Sequence, residues 1–272
     1  MRSLLLVAAL LAVVPAQLVA ADLLAEARRF YNLGQYDAAE RAAREAAANV
    51  AQIDRARVVL GRVHLEQYRR TADPAQLASA RTALRATDPR ALDPRERVEL
   101  TIGLAEALYL EDRFGAAAEL FELAMASAAD LGPSAELGPP AYERMLDWWA
   151  TALDRVAQSR QGAERTQVYD RIERRMIYEI RQDPGSLAGG YWVIAAARGR
   201  GDVESAYDAA MAGWVRAIHA RDRGGALRAD IDRLVTQAIL PDRAARLPGR
   251  DQKSALTRMI EEWEAFKGDW VK

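Results

Sequence analysis

Cysteine is absent from all 272 residues. That removes disulfides, thiolate nucleophiles and cysteine–zinc sites at once. Histidine occurs only at His64 and His219, far apart in the chain. There is no HExxH pair, no carboxylate run with metal-ligand spacing, no G-x-S-x-G elbow and no Walker loop. Lysine is confined to Lys253, Lys267 and Lys272, so nearly every basic residue is arginine, the bias of GC-rich coding. Charge of one sign is also lacking: the formal net charge is −1, which creates no field for nucleic acid or an anionic membrane. Beyond the N-terminal region no apolar run approaches the roughly 20 residues a bilayer span needs. These absences predict no catalytic residues, no metal and no cofactor.

Half of the residues are hydrophobic and 28% are charged, a balance that predicts a folded chain and not a disordered one. The N-terminus "MRSLLLVAALLAVVPAQLVAAD" has one early positive charge, an apolar run from Leu4 to Val14, and Pro15. Val19 and Ala21 then stand at the −3 and −1 places before Asp22. This three-part layout predicts a secretory signal peptide over residues 1–21, cleaved after Ala21, and hence an exported, periplasmic or extracellular protein. No cysteine is available to carry a lipoprotein anchor.

The main signal lies downstream. From Tyr36, offsets of 3, 7 and 10 reach Ala39, Ala43 and Ala46, which share one helix face. The same ladder starts at Leu77 (Ala80, Leu84, Thr87), Phe114 (Ala117, Phe121, Ala124) and Val203 (Ala206, Ala210, Gly213). It also starts at Tyr169 (Ile172, Met176), where Glu179 breaks it. The anchors lie 41, 37, 55 and 34 residues apart, the length of a helical hairpin plus a variable loop. Each ladder has a helical partner upstream, such as "TIGLAEALYLEDR" before Phe114. A single hairpin cannot bury its own apolar face, so the copies must stack. Gly34 is expected to end the first helix in a left-handed conformation.

Leu104, Ala105 and Leu108 followed by Phe114, Ala117, Phe121 and Ala124 resemble a tetratricopeptide repeat. Leu23, Ala27, Phe30, Gly34, Tyr36, Ala39 and Ala46 resemble it too, with Glu26 in place of the usual leucine. Gly201, Val203, Ala206 and Gly213 give a fifth, looser copy, and Pro184 stands where the fourth would close. The resemblance covers most of residues 22–216 and implies an all-α, right-handed solenoid of about five hairpins. Irregular loops are expected near 68–76, 128–140 and 158–164, with Asp73 and Pro74 opening a helix. A stripe of Leu227, Ile231, Leu234, Val235, Ala238 and Ile239, stopped by Pro241, and a last helix with Leu256, Met259, Ile260, Trp263 and Phe266 predict C-terminal capping helices over 217–272.

Solenoids of this family bind peptides along a concave surface formed by the first helix of each hairpin. Carried over by position, that surface contains Arg28, Tyr31, Asn32, Arg55, Arg62, Glu106, Tyr109, Arg144, Asp147, Tyr191 and Arg198. Its arginine and tyrosine content suits a peptide of acidic and apolar character. The expected function is therefore a non-enzymatic scaffold for a protein or peptide partner in the cell envelope. The alternative is a small-molecule binder serving an envelope transporter, with an apolar chamber near Trp148, Trp149, Trp192 and Trp214. His64 fits a packed helix contact, and Arg200-Gly201-Asp202 fits a hairpin turn better than an adhesion motif.

Overall fold

The computed structural model describes residues 16–130, 138–248 and 251–271. The predicted signal segment lies largely outside them, in residues 1–15. Among the described residues there are thirteen α-helices: α1 (Ala16–Asn32), α2 (Tyr36–Ala46), α3 (Ile53–Thr71), α4 (Pro74–Arg85), α5 (Pro94–Leu110), α6 (Phe114–Asp130), α7 (Gly138–Gln158), α8 (Gly162–Gln182), α9 (Leu187–Gly199), α10 (Val203–Ile218), α11 (Gly224–Leu234), α12 (Leu240–Ala245) and α13 (Gln252–Val271). No strand occurs among the described residues. The chain forms two compact units that divide between Leu110 and Glu111, inside the third predicted hairpin.

In the first unit α1 packs on α2 and α3 on α4, while α3 also lies against α1, α2 and α5. In the second unit α7 and α8 pair, as do α9 and α10, and α9 touches both α7 and α11. First helices thus neighbour first helices, and each second helix fills the gap to the next pair. This is the contact pattern of stacked helical hairpins.

The ladders read from sequence explain why the pairs stack. Ala39, Ala43 and Ala46 are fully buried, as are Ala80, Ala117, Ala124, Ala206 and Ala210. Small side chains let backbones approach closely, and the large residues between them, such as Phe121 and Ile172, fill the remaining space. Gly61 on α3 takes this to its limit: a Cβ there would lie 2.5 Å from Leu84 Cγ on α4. Glu179, which breaks its ladder, is buried all the same. It accepts hydrogen bonds from Tyr142 Oη at 3.0 Å and Arg175 Nε at 2.6 Å, so the polar head is compensated rather than excluded.

The turns repeat as well. Two residues before the anchors Tyr36, Phe114 and Val203 stand Gly34, Asp112 and Gly201, with φ of +70°, +58° and +83°. At Gly34 and Gly201 the following amide reaches back five residues, Gln35 N to Phe30 O at 2.9 Å and Asp202 N to Ala197 O at 3.1 Å. That is a Schellman closure, and it fixes the reversal angle of a hairpin. Asp202 then caps α10 by accepting from Ser205 N at 3.1 Å, while Arg200 is bound by Asp170 and Glu173. The Arg200-Gly201-Asp202 tripeptide is therefore spent on a turn. Asp73 caps α4 through Ala75 N at 2.9 Å, with Pro74 at the helix start. His64 is buried with Nδ1 against Gln76 Oε1 at 2.8 Å, a helix contact.

Three details differ from the expectations. The extra residues near 68–76 and 158–164 are taken up mainly as helix, since α3 runs to Thr71 and α7 and α8 are 21 residues each. Pro241 does not stop the chain's helical course. A π-helical turn, Val235–Ile239, leads straight into α12, which has Pro241 in its first turn. A widened turn accommodates a residue that has no amide hydrogen to donate. Finally, α11 is more than a cap, because it takes the next first-helix position against α9 and α10. The last helix does cover apolar surface: Trp263 is fully buried among Trp214, Tyr207 and Phe266, with Nε1 donating to Asp232 at 2.8 Å.

Gly61→Ala is expected to destabilise the chain by about 1–3 kcal/mol, because Leu84 is buried and has nowhere to retreat. Gly225→Ala, with nothing within 4 Å, should be neutral or stabilising by up to about 1 kcal/mol. Denaturant unfolding followed by circular dichroism checks both; equal effects would contradict the close-approach account.

Candidate functional site

The eleven sequence-predicted residues fall into two sets. Arg28, Tyr31, Asn32, Arg55, Arg62, Glu106 and Tyr109 lie on α1, α3 and α5 of the first unit. Arg144, Asp147, Tyr191 and Arg198 lie on α7 and α9 of the second.

In the first unit the arginines are already engaged. Asp93 and Glu96 form a reciprocal cap at the start of α5: Glu96 N donates to Asp93 Oδ1 at 2.8 Å, and Asp93 N donates to Glu96 Oε2 at 3.0 Å. The same buried Glu96 carboxylate receives Arg28 Nη2 at 2.7 Å and Arg55 Nε at 3.1 Å. Glu99, also buried, takes Arg95 at 3.3 Å. Arg62 lies over the Tyr31 ring, 4.6 Å from its centroid. Burial pushes the Tyr31 phenol well above its ordinary range, with Glu106, Glu66 and Tyr36 adding to the rise against Arg62. Burial disfavours the Arg62 cation, yet Tyr31, Glu106, Glu99 and Glu66 outweigh it and hold its pKa above the usual value. Arg28, Tyr31, Asn32 and Arg62 border a recess of only about 40 Å³. Tyr109 is half-buried further along α5. This face is knit together by its own charges, which leaves little arginine charge for an acidic guest.

The second unit is open. A cleft of about 1100 Å³ runs across α7, α9 and α11. Its floor is apolar, made by Leu187, Ala188, Tyr191 and Ala220, and its rim is charged, with Glu143, Arg144, Asp147, Asp222, Arg223, Asp230 and Arg233. Glu143 is positioned by accepting from Ala188 N at 2.8 Å, and Asp147 by accepting from Trp192 Nε1 at 2.8 Å. Arg223 bonds Asp183 at 3.0 Å, and Arg233 bonds Asp230 at 3.2 Å. Three predicted residues, Arg144, Asp147 and Tyr191, line this cleft. Arg198 does not; it pairs with Asp242 at 2.8 Å beside a neighbouring recess. Sequence reasoning missed the α11 wall because the 217–272 segment read as a cap. The polar Asp230–Arg233 pair opposite the Leu227–Ile231 stripe was the signal that could have found it.

The tryptophans are used for packing. Trp149, Trp192 and Trp214 are buried, and Trp148 is half-buried with its ring 6.0 Å from Phe121. The recess that Trp192 borders holds about 320 Å³ and is walled by Asp154, Arg165, Arg198 and Asp242 as well as by rings, so it is not the expected apolar chamber. Among the described residues no group of three or more His, Asp or Glu could hold a metal ion, and no helix is long and apolar enough to cross a membrane. Compared with known proteins, the chain matches no family model and no curated protein.

Removing the Glu96 carboxylate would undo the α5 cap, leave Arg55 without its carboxylate and leave Arg28 only the longer contact to Glu99 at 3.9 Å. Glu96→Ala is expected to cost about 1–3 kcal/mol, below the full price of breaking a buried pair because those arginines are 34% and 37% exposed. Denaturant titration measures it, and a loss under about 0.5 kcal/mol would contradict the bridging role.

Proposed function

We propose that this chain is an exported, non-enzymatic, tetratricopeptide-like scaffold that holds a protein or peptide partner in the bacterial cell envelope. The observation that carries the reading is the cleft across α7, α9 and α11, an apolar floor with a charged rim on successive first helices. Such a floor gains from burying apolar side chains, while rim charges select and orient the guest. The left-handed turn two residues before Tyr36, Phe114 and Val203, together with the alanine ladders, supports the tetratricopeptide-like assignment, and right-handed stacking is what that resemblance implies. The N-terminal sequence pattern supports export. The cleavage point after Ala21 falls within α1, so processing would leave Asp22–Asn32 of that helix.

A cleft variant, Leu187→Asp with Tyr191→Ala, should lower capture of an envelope partner by at least about tenfold while helix content is retained. Changing Arg28, Arg55 and Arg62 together to Glu should instead act through stability of the first unit. Unaltered capture by the cleft variant would refute this site. Intact-mass measurement of the exported protein should give a chain beginning at Asp22; a mass retaining residues 1–21 would refute cleavage there.

A further inference from the structure

Tyr191 borders both the large cleft and the adjoining recess of about 320 Å³. On α7 the lining positions 143, 147, 154 and 158 share one helix face, as do 187, 191, 195 and 198 on α9. The two hollows therefore continue each other along these helices. From Leu187 to Arg198 the rise is about 16 Å, which matches about five residues of extended chain.

The charges along this run are unevenly committed. Arg198, Arg223 and Arg233 are each engaged by a carboxylate of the protein itself. Arg165 donates to Gly199 O at 3.1 Å and lies over the Tyr169 ring. Arg144 remains at the exposed rim. Three carboxylates, by contrast, are fixed only by neutral donors: Glu143 by the Ala188 amide, and the two that act on Tyr191, Asp147 and Asp154, by side chains. Asp147 accepts from the Trp192 indole at 2.8 Å. Asp154 accepts from Tyr169 Oη at 2.8 Å and from Gln158 Nε2 at 2.6 Å. Neither has an ion pair among the described residues. These bonds orient the two anions without cancelling their charge. Tyr191 registers the result: burial, then Asp147, Asp230 and Asp154, raise its phenol above the ordinary range against the opposing pull of Arg198.

Resting on the scaffold function above, we propose that this run seats an extended peptide segment carrying an arginine or lysine beside an apolar residue. The cation sits against the Tyr191 ring, where Asp147 and Asp154 supply the counter-charge, and the apolar side chain lies on Leu187 and Ala188. An electron-rich ring flanked by oriented carboxylates favours a cation. A glutamate at the same place would face two anions that have no counter-ion. The partner chemistry is thus basic and apolar, the reverse of what the arginine-rich inner face suggests from sequence.

The test uses three fluorescein-labelled decapeptides of equal leucine content, with arginine, glutamate or glutamine at the intervening positions, titrated with the full chain by anisotropy. The arginine peptide should bind at least about tenfold more tightly than the others and weaken with salt. Asp147→Asn with Asp154→Asn keeps both side-chain acceptors and should lose about tenfold of that affinity with unchanged circular dichroism. Should the double variant misfold, Asp147→Asn alone, at an exposed position, must still weaken binding. Equal binding of the glutamate or glutamine peptide, indifference to these variants, or displacement by spermidine alone would overturn the proposal while leaving the scaffold reading intact. If no peptide binds but cleft-dependent capture of the envelope partner persists, the partner chemistry is wrong. If capture fails as well, both readings fall.

Discussion

The fold depends on one constraint: no helix pair in this chain can cover its own apolar flank. The ladders place alanine where two backbones meet and a large residue where they diverge, so each pair is completed only by the next. Fully buried Ala43, Ala117 and Ala206 show the close approach, and Gly61 shows how little room it leaves. Everything functional follows from it. Second helices are consumed in covering neighbours, while first helices line up with one face left over.

What that leftover face becomes differs between the two units. In the first, a single buried carboxylate, Glu96, closes a helix start and gathers Arg28 and Arg55. Charge there is structural, and the recess is small. In the second, α7, α9 and α11 leave an open cleft with an adjoining recess, where Asp147 is held by an indole and Asp154 by a phenol and a side-chain amide. Identical stacking logic therefore yields a locked face in one unit and a receptive one in the other.

Much of the architecture was legible in the sequence, because a 3.6-residue period with alternating size is a local signal. Tyr169, Ile172 and Met176 are buried as their spacing predicts, and Gly34 is left-handed as its place before Tyr36 predicts. Pro241 misled, since proline ends ordinary helices and a π turn is not written in composition. The site was half legible. Helical register brings Arg144, Asp147 and Tyr191 to one face. Which arginines have partners is set by residues 30 to 70 positions away, such as Glu96 for Arg28. No local pattern carries that information, so the charge preference of the face could not be read correctly from its arginine count.

The most direct measurement places a photo-crosslinking amino acid at Tyr191 on the cleft floor or at Tyr178 on α8, an exposed position away from the cleft, in cells making the full chain. The account predicts one discrete partner adduct from position 191 and none from 178. Adducts of equal yield from both positions, or from 178 alone, would contradict the claim that the face left by the stacked first helices is where this protein meets its partner.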